Sequence, residues 1–199
     1  PEFTLDGSTT TVPVVLQKDE SAFIVFRKKG KPIMGEKNFP DPVKNSPLNS
    51  AWSLTFESKL TNPSPIHLDQ LQDLSLSTDN KVKYFSGNII YKTNFEFDLN
   101  EVKGQDIYLD LGEVNMMAKV WVNDEYVGGV WTSPYSVNIS KALKQGLNTL
   151  KIDVVNTWVN RLIGDSALPK EERETWAGVN PYNPNSGLQK SGLVGPVQL

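Results

Sequence analysis

Large aromatic side chains crowd the second half of the chain: Trp121, Trp131, Tyr135, Trp158, Trp176 and Tyr182. A flat ring offers an apolar face to the C–H side of a sugar ring, and amide or guanidinium groups beside it can hydrogen-bond the hydroxyls. Asn156, Asn160 and Arg161 flank Trp158 and supply such groups. The same rings have a second use, because β-sandwich cores are also built on Trp and Tyr. Trp52 and Trp121 fall inside alternating runs and read as structural. Trp131, Trp158 and Trp176 adjoin loops, where ligand contact and contact with another domain stand equally open. The candidate carbohydrate-binding set is therefore Trp131, Tyr135, Asn156, Trp158, Asn160, Arg161 and Trp176.

Catalytic chemistry has little to work with. The one histidine, His67, lies in Asn62-Pro63-Ser64-Pro65-Ile66-His67. Nothing near it resembles a strained nucleophile turn, so it reads as a surface residue rather than part of a Ser-His-Asp triad. There is no cysteine, which excludes disulfides, thiolate zinc sites and cysteine nucleophiles. No Asp-x-Asp-x-Asp loop and no glycine-rich phosphate loop occurs, so no metal ligands and no cofactor are assigned. Asp110, Glu113, Asp165, Glu171, Glu172 and Glu174 are the acids that could form a glycosidase pair. Most lie on turns or in the charged run from Lys170 to Glu174, where a solvated face is the simpler reading.

The net charge of -3 and a pI near 5.3 argue against a nucleic-acid partner. No run of about 18 apolar residues occurs, so no helix spans a membrane. The chain opens Pro1-Glu2-Phe3 with neither Met nor a signal peptide, and is expected to be a piece of something longer.

These residues need a scaffold, and the pattern from Ile107 to Ser140 supplies it. Ile107, Leu109 and Leu111 alternate with Tyr108 and Asp110, and Ala118, Val120 and Val122 alternate with Lys119, Trp121 and Asn123. A period of two marks strands with one buried face. Asn123-Asp124 between two runs predicts a tight hairpin, and Gly128-Gly129 predicts a bulge. Trp52, Leu54 and Phe56 share another face, as do Ile89, Tyr91, Thr93, Phe95 and Phe97, and Leu150, Ile152 and Val154. Ala22 to Phe26 is apolar on both faces and predicts a strand covered on both sides. Ser140 to Lys144 predicts one helical turn, and Pro169 to Trp176 a short helix opened by Pro169. Trp158 to Gly192 otherwise shows little periodicity, and Leu193 to Leu199 reads as a closing strand. Between Lys28 and Ser50, Pro32, Pro40, Pro42 and Pro47 alternate with Lys28, Lys29, Lys31, Lys37 and Lys44, which predicts a linker. The fold class expected is all-β, a jelly-roll β-sandwich. Residues 1–30 are expected to be terminal strands of a preceding domain or an N-terminal extension, 31–50 the linker, and 51–199 the sandwich.

Several runs resemble a known family. Tyr84-Phe85-Ser86-Gly87-Asn88-Ile89-Ile90-Tyr91-Lys92-Thr93-Asn94-Phe95 is similar to the opening of the sugar-binding domain of family 2 glycoside hydrolases. Asp110-Leu111-Gly112-Glu113-Val114, then Ala118-Lys119-Val120-Trp121-Val122-Asn123-Asp124-Glu125-Tyr126-Val127-Gly128, resemble its next segments, with Asp124 where the family often has Gly. Pro134-Tyr135-Ser136-Val137-Asn138-Ile139 and Gly146-Leu147-Asn148-Thr149-Leu150-Lys151-Ile152-Asp153-Val154 continue the likeness. Trp158 to Asp165, the acid run from Pro169 to Trp176, and Ser191-Gly192-Leu193-Val194-Gly195-Pro196-Val197 resemble the C-terminal region of family 106 α-L-rhamnosidases. The resemblance extends over residues 52 to 199, and more loosely over residues 12 to 27. It implies a galactose-binding-like jelly roll that follows a catalytic barrel, and no barrel fits in 199 residues. It therefore implies a non-catalytic portion of a secreted or periplasmic hydrolase, packed on the catalytic domain of its parent, with a plant or microbial polysaccharide as the glycan. An independent carbohydrate-binding module is the alternative, and a small hydrolase using two of the acids above is a third.

Overall fold

The computed structural model describes residues 2–16, 20–28, 30–31, 37–39, 44–102 and 104–199. Its strands are β1 (Thr4–Asp6), β2 (Thr9–Thr11), β3 (Trp52–Glu57), β4 (Ile66–Leu68), β5 (Asn88–Phe97), β6 (Tyr108–Asp110), β7 (Glu113–Asn115), β8 (Met117–Val122), β9 (Glu125–Val130), β10 (Ser136–Asn138), β11 (Gly146–Val155) and β12 (Gly192–Gly195). Two short helices join them, α1 (Asn80–Lys83) and α2 (Val159–Ser166).

One layer is a six-stranded antiparallel sheet in the order β4-β3-β5-β11-β8-β9. Its centre is the β5–β11 ladder, which runs from Asn88↔Val155 to Phe97↔Gly146. The expected alternation holds along this layer. Trp52, Leu54, Phe56, Ile89, Tyr91, Phe95, Val120, Val122, Leu150, Ile152 and Val154 are buried on the inner face. At roughly 1.5–3 kcal/mol per fully buried large apolar side chain, this face dominates folding. The β8–β9 hairpin turns at Asn123 and Asp124, both at positive φ (51° and 66°), as a tight hairpin requires. Its register slips beyond Val120↔Gly128, so Val127 is the bulged residue.

The second layer is assembled from short pieces. β6 pairs with β10, and β7 with β12. Gln198 exchanges backbone hydrogen bonds with Asp110, and Ser46 with Leu199. The Pro- and Lys-rich stretch thus enters the sandwich at Ser46. Gly112 lies at φ +65°, and a Cβ there would stand 2.4 Å from the Gly195 carbonyl carbon. Only glycine allows these two chains to approach so closely.

Polar side chains lock the layers together. Asn148 is fully buried, and its amide is saturated. Its Oδ1 accepts from Asn123 Nδ2 (2.7 Å) and from the Lys144 N–H (2.9 Å). Its Nδ2 donates to the carbonyls of Lys144 (2.9 Å) and Gly146 (2.8 Å). Asn123 Nδ2 also donates to the Ala142 carbonyl at 2.8 Å. Across the core, the buried Tyr91 hydroxyl accepts the Leu193 N–H at 3.0 Å. Burial pushes the Tyr91 phenol well above its ordinary range, which that hydrogen bond only partly offsets.

Four local expectations are corrected. Ala22 to Phe26 is extended but joins no ladder among the described residues, and Phe23 is 97% exposed. Among the described residues its apolar faces are covered by no strand layer. Ser140 to Lys144 holds only a turn closed by Ala142 N–H to the Ile139 carbonyl, while the Ser140 hydroxyl accepts from the Ile107 N–H. Pro169 to Trp176 yields just the 3-10 turn Lys170–Glu172. The Trp158–Gly192 segment contains α2, whose buried face is Asn160, Arg161, Ile163, Gly164 and Asp165. A mostly polar buried face leaves no apolar periodicity to read. Linker positions Lys29, Pro32, Pro40 and Pro42 lie outside the described residues.

Replacing Asn148 strands several buried groups at once. Asn148→Ala is expected to lower unfolding stability by about 3 kcal/mol in urea titrations at unchanged m-value. A loss below about 0.5 kcal/mol, the size of an ordinary surface change, would contradict this assignment.

Candidate functional site

The sheet register brings the aromatic candidates to one end of the sandwich. Val155 pairs with Met117, and Ala118 with Val130, so Trp131 leaves β9 beside Met117. Trp158 follows the end of β11 and caps α2 with its backbone alone, making no side-chain cap bond. Glu174 joins the same end, since its Oε2 accepts the Thr61 N–H at 2.9 Å just past β3. Trp176 follows shortly after Glu174 in the chain. The three rings are exposed: Trp131 by 77%, Trp158 by 55% and Trp176 by 87%. Met116 and Met117 are exposed beside them. Among the described residues none of the three tryptophans stacks on another aromatic ring.

The polar candidates occupy different positions from the rings. Asn156 is used internally: Oδ1 accepts the Gly87 N–H (3.0 Å), and Nδ2 donates to the Phe85 carbonyl (2.8 Å) and Ser191 Oγ (2.9 Å). Asn160 is buried and forms a two-way clamp on Gln189, donating to its carbonyl (2.7 Å) and accepting from its N–H (2.8 Å). Arg161 is buried as well. Its Nη1 pairs with Glu174 Oε1 at 2.9 Å, and its Nε lies 3.8 Å from Asp165 Oδ1. Tyr135 is half-buried against the core, and its carbonyl accepts the Leu111 N–H. The structure thus groups Trp131, Trp158 and Trp176 on the surface and assigns Asn156, Asn160, Arg161 and Tyr135 to holding the loops beneath them. The Asn156 and Asn160 amides are engaged in these internal bonds and are not free for a sugar hydroxyl, whereas Arg161 Nε is buried without a hydrogen-bond partner.

The acids show the same commitment. Asp165 is 1% exposed, and its Oδ2 accepts from both the N–H (2.8 Å) and the hydroxyl of Thr175. Asp110 accepts from the Gly112 N–H (2.9 Å) and from Gln198 Nε2 (3.2 Å). Glu113 pairs with Lys190 at 2.8 Å. The space beside Arg161, lined by Ser58, Thr61, Ser86 and Glu174, measures about 10 Å³, room for one water. A glycosidic bond could not enter it. His67 is exposed, its Nδ1 3.1 Å from Ser53 Oγ. Among the described residues no group of three or more His, Cys, Asp or Glu is placed to hold a metal ion. On the outer face of the sheet, burial holds the Asp153 carboxyl above its ordinary range, against the opposing pull of Lys151 and Lys119.

A six-stranded antiparallel layer covered by short strands, with loops gathered at its ends, defines a galactose-binding-like β-sandwich. Residues 55–186 match the family described as glycosyl hydrolase 2 galactose-binding domain-like, and the chain belongs to that family. A rhamnosidase from Novosphingobium sp. PP1Y superposes with a TM-score of 0.84 at 38% identity, over 98% of this chain and 18% of its own. A protein of Formosa agariphila provisionally named a β-glucuronidase is 30% identical over 187 residues, covering 82% of this chain and 16% of that protein. The β-D-glucuronidase of Dictyoglomus thermophilum shares the fold, with a TM-score of 0.50 at 23% identity over 60% of this chain and 21% of its own. This chain therefore spans less than a fifth of the rhamnosidase and of the Formosa protein. It is a non-catalytic domain type that forms part of larger glycoside hydrolases.

The division between clamps and surface rings is testable. Asn156→Ala and Asn160→Ala are each expected to destabilise the chain by about 1–3 kcal/mol, because buried partners lose their hydrogen bonds. Trp131→Ala and Trp176→Ala should stay within about 0.5 kcal/mol. Urea unfolding of the four variants checks this, and the reverse ordering would overturn it.

Proposed function

We propose that this chain is the C-terminal, non-catalytic β-sandwich of a polysaccharide-degrading, α-L-rhamnosidase-like hydrolase. On this reading residues 1–30 belong with a preceding domain, 31–50 connect and join the sandwich from Ser46 onward, and 51–199 form the body of the sandwich that packs on the catalytic domain. The observation that carries the proposal is the exposed end bearing Trp131, Trp158 and Trp176, set on a fold whose candidate acids are largely engaged in internal bonds. Exposed apolar clusters of this kind mark contact surfaces. Phe23, Ile24, Val25 and Phe26 add a second exposed apolar stretch, suited to a neighbouring sheet. The likeness to a rhamnosidase over nearly the whole chain supports the assignment. A polysaccharide substrate too large to enter a cell would place the protein in the periplasm or outside the cell.

A second reading, an independent carbohydrate-binding module, draws support from the same exposed rings. The two are separated by retention on immobilised glycans: a module loses retention on Trp131→Ala, Trp158→Ala or Trp176→Ala, whereas a packing surface shows no such change.

The 199-residue chain alone is expected to release no aryl alcohol from nitrophenyl glycosides, α-L-rhamnoside included. Turnover that disappears on changing Asp110, Glu113, Asp165, Glu171, Glu172 or Glu174 would overturn the proposal.

A further inference from the structure

At the end of the sandwich opposite Trp131, three chain segments enclose a depression of about 370 Å³. The register sets its place. Glu125 pairs with Val122 and Val122 with Leu150, at the far end of the ladders from the Met117–Val155 pair beside Trp131. One wall is the start of β9, where Glu125 and Tyr126 precede the bulged Val127. The second wall is the turn that follows β10, and the third is Asp106, ahead of β6. A recess of this size lies in the range of small-ligand sites. The space beside Arg161, by contrast, holds one water.

The walls are fixed from within the fold. The Ile139 N–H donates to the Ile107 carbonyl at 2.9 Å, and the Ile107 N–H donates to Ser140 Oγ at 2.8 Å. The Ala142 carbonyl accepts from Asn123 Nδ2, which ties the turn to the buried Asn148. The Tyr126 ring is braced on Trp121 with centroids 5.4 Å apart, and Trp121 in turn carries Lys151 Nζ 3.7 Å from its centroid. Tyr126 still leaves more than half of its surface to solvent. The polar groups around the recess are unspent. Among the described residues Asp106, Glu125 and Lys141 make no ion pair within 4.0 Å. Asn138 uses its Oδ1 on the Ser140 N–H at 3.0 Å, which leaves its Nδ2 as a donor.

We propose that this depression binds one neutral sugar unit of a glycan. A sugar hydroxyl both donates and accepts, and the recess offers partners for each role. Hydroxyls would donate to the Asp106 and Glu125 carboxylates and accept from Asn138 Nδ2 and Lys141 Nζ. The C–H side of the ring would pack on the exposed Tyr126. Two carboxylates against one ammonium disfavour an anionic ligand, and Lys141 opposes a cation. The aromatic ring adds a flat apolar surface that a metal ion has no use for. The inference stands on these groups and not on the proposed function. It concerns the end of the sandwich remote from Trp131.

The test titrates the 199-residue chain, followed by amide NMR, with the methyl glycosides of L-rhamnose, D-galactose and D-glucose, and separately with galacturonate, glucosamine and calcium chloride. At least one neutral glycoside is expected to bind with a Kd of about 1 mM or tighter, moving the amide signals of Glu125, Tyr126, Ser140 and Lys141. The double variant Asp106→Asn/Glu125→Gln should lose about tenfold. Tyr126→Ala should lose about fivefold, and Tyr126→Phe, which keeps the ring, should bind as the parent does. Asp106 and Glu125 are exposed, so the urea midpoint of the double variant should not move, which separates lost binding from lost fold. No binding of any neutral glycoside would overturn the inference. So would tighter binding of galacturonate, glucosamine or calcium, or binding of the neutral glycoside that survives both the double variant and Tyr126→Ala. None of these outcomes touches the hydrolase assignment, which fails instead on turnover by the isolated chain.

Discussion

A buried amide without partners costs about as much as a whole hydrogen bond or more, and this fold is arranged so that Asn148 and Asn160 do not face that cost. The inner face of the six-stranded sheet needs a lid. That lid is built from strands of three or four residues, too short to hold themselves in register by ladder bonds. Side-chain amides do the fastening. Asn148 ties β11 to the β8–β9 turn and to the 142–146 loop. Asn156 ties the start of β5 to the approach to β12, and Asn160 holds Gln189. Tyr91 reaches through the core to the Leu193 N–H. The position of the loops, and so of the exposed tryptophans, follows from these bonds.

The strands of the main layer were legible because each has one wet face and one dry face. Trp52, Leu54 and Phe56 are buried as their spacing requires, and the Asn123-Asp124 turn adopts the expected positive φ. Several motifs in the sequence turn out to be contacts between distant segments: Asn123 with Asn148, and Gly112 with Gly195. Helix α2 was not legible, because its inward face is polar and its cap position is Trp158, which offers no side-chain bond. β4 was hidden as well, since two prolines precede it and it spans only three residues. Ala22 to Phe26 misled in the opposite sense: its composition promises cover on both faces, and nothing in the described residues provides it.

Proximity in sequence to Trp158 made Asn156, Asn160 and Arg161 look like sugar ligands. In space they point inward. The ring lies on the surface while its polar neighbours secure the segment that carries it, a division of labour that alternation and helix geometry impose on adjacent residues. Arg161 illustrates the point: it bridges α2 to Glu174, and through Glu174 the Trp176 loop reaches Thr61. The acids follow the same rule. Asp110, Glu113 and Asp165 are structural partners of Gly112, Lys190 and Thr175. In this chain the chemistry-bearing residue types are used mainly to build shape.

The central claim is that a rigid, non-catalytic sandwich presents its exposed apolar residues to the rest of a larger hydrolase. Hydroxyl-radical footprinting read by mass spectrometry tests it most directly, comparing the isolated chain with the same residues inside the longer protein. The account predicts that oxidation of Phe23, Phe26, Trp131, Trp158 and Trp176 falls severalfold in the longer protein, while the exposed Leu76 on another part of the surface keeps its rate. Unchanged oxidation of all five aromatic residues would contradict it.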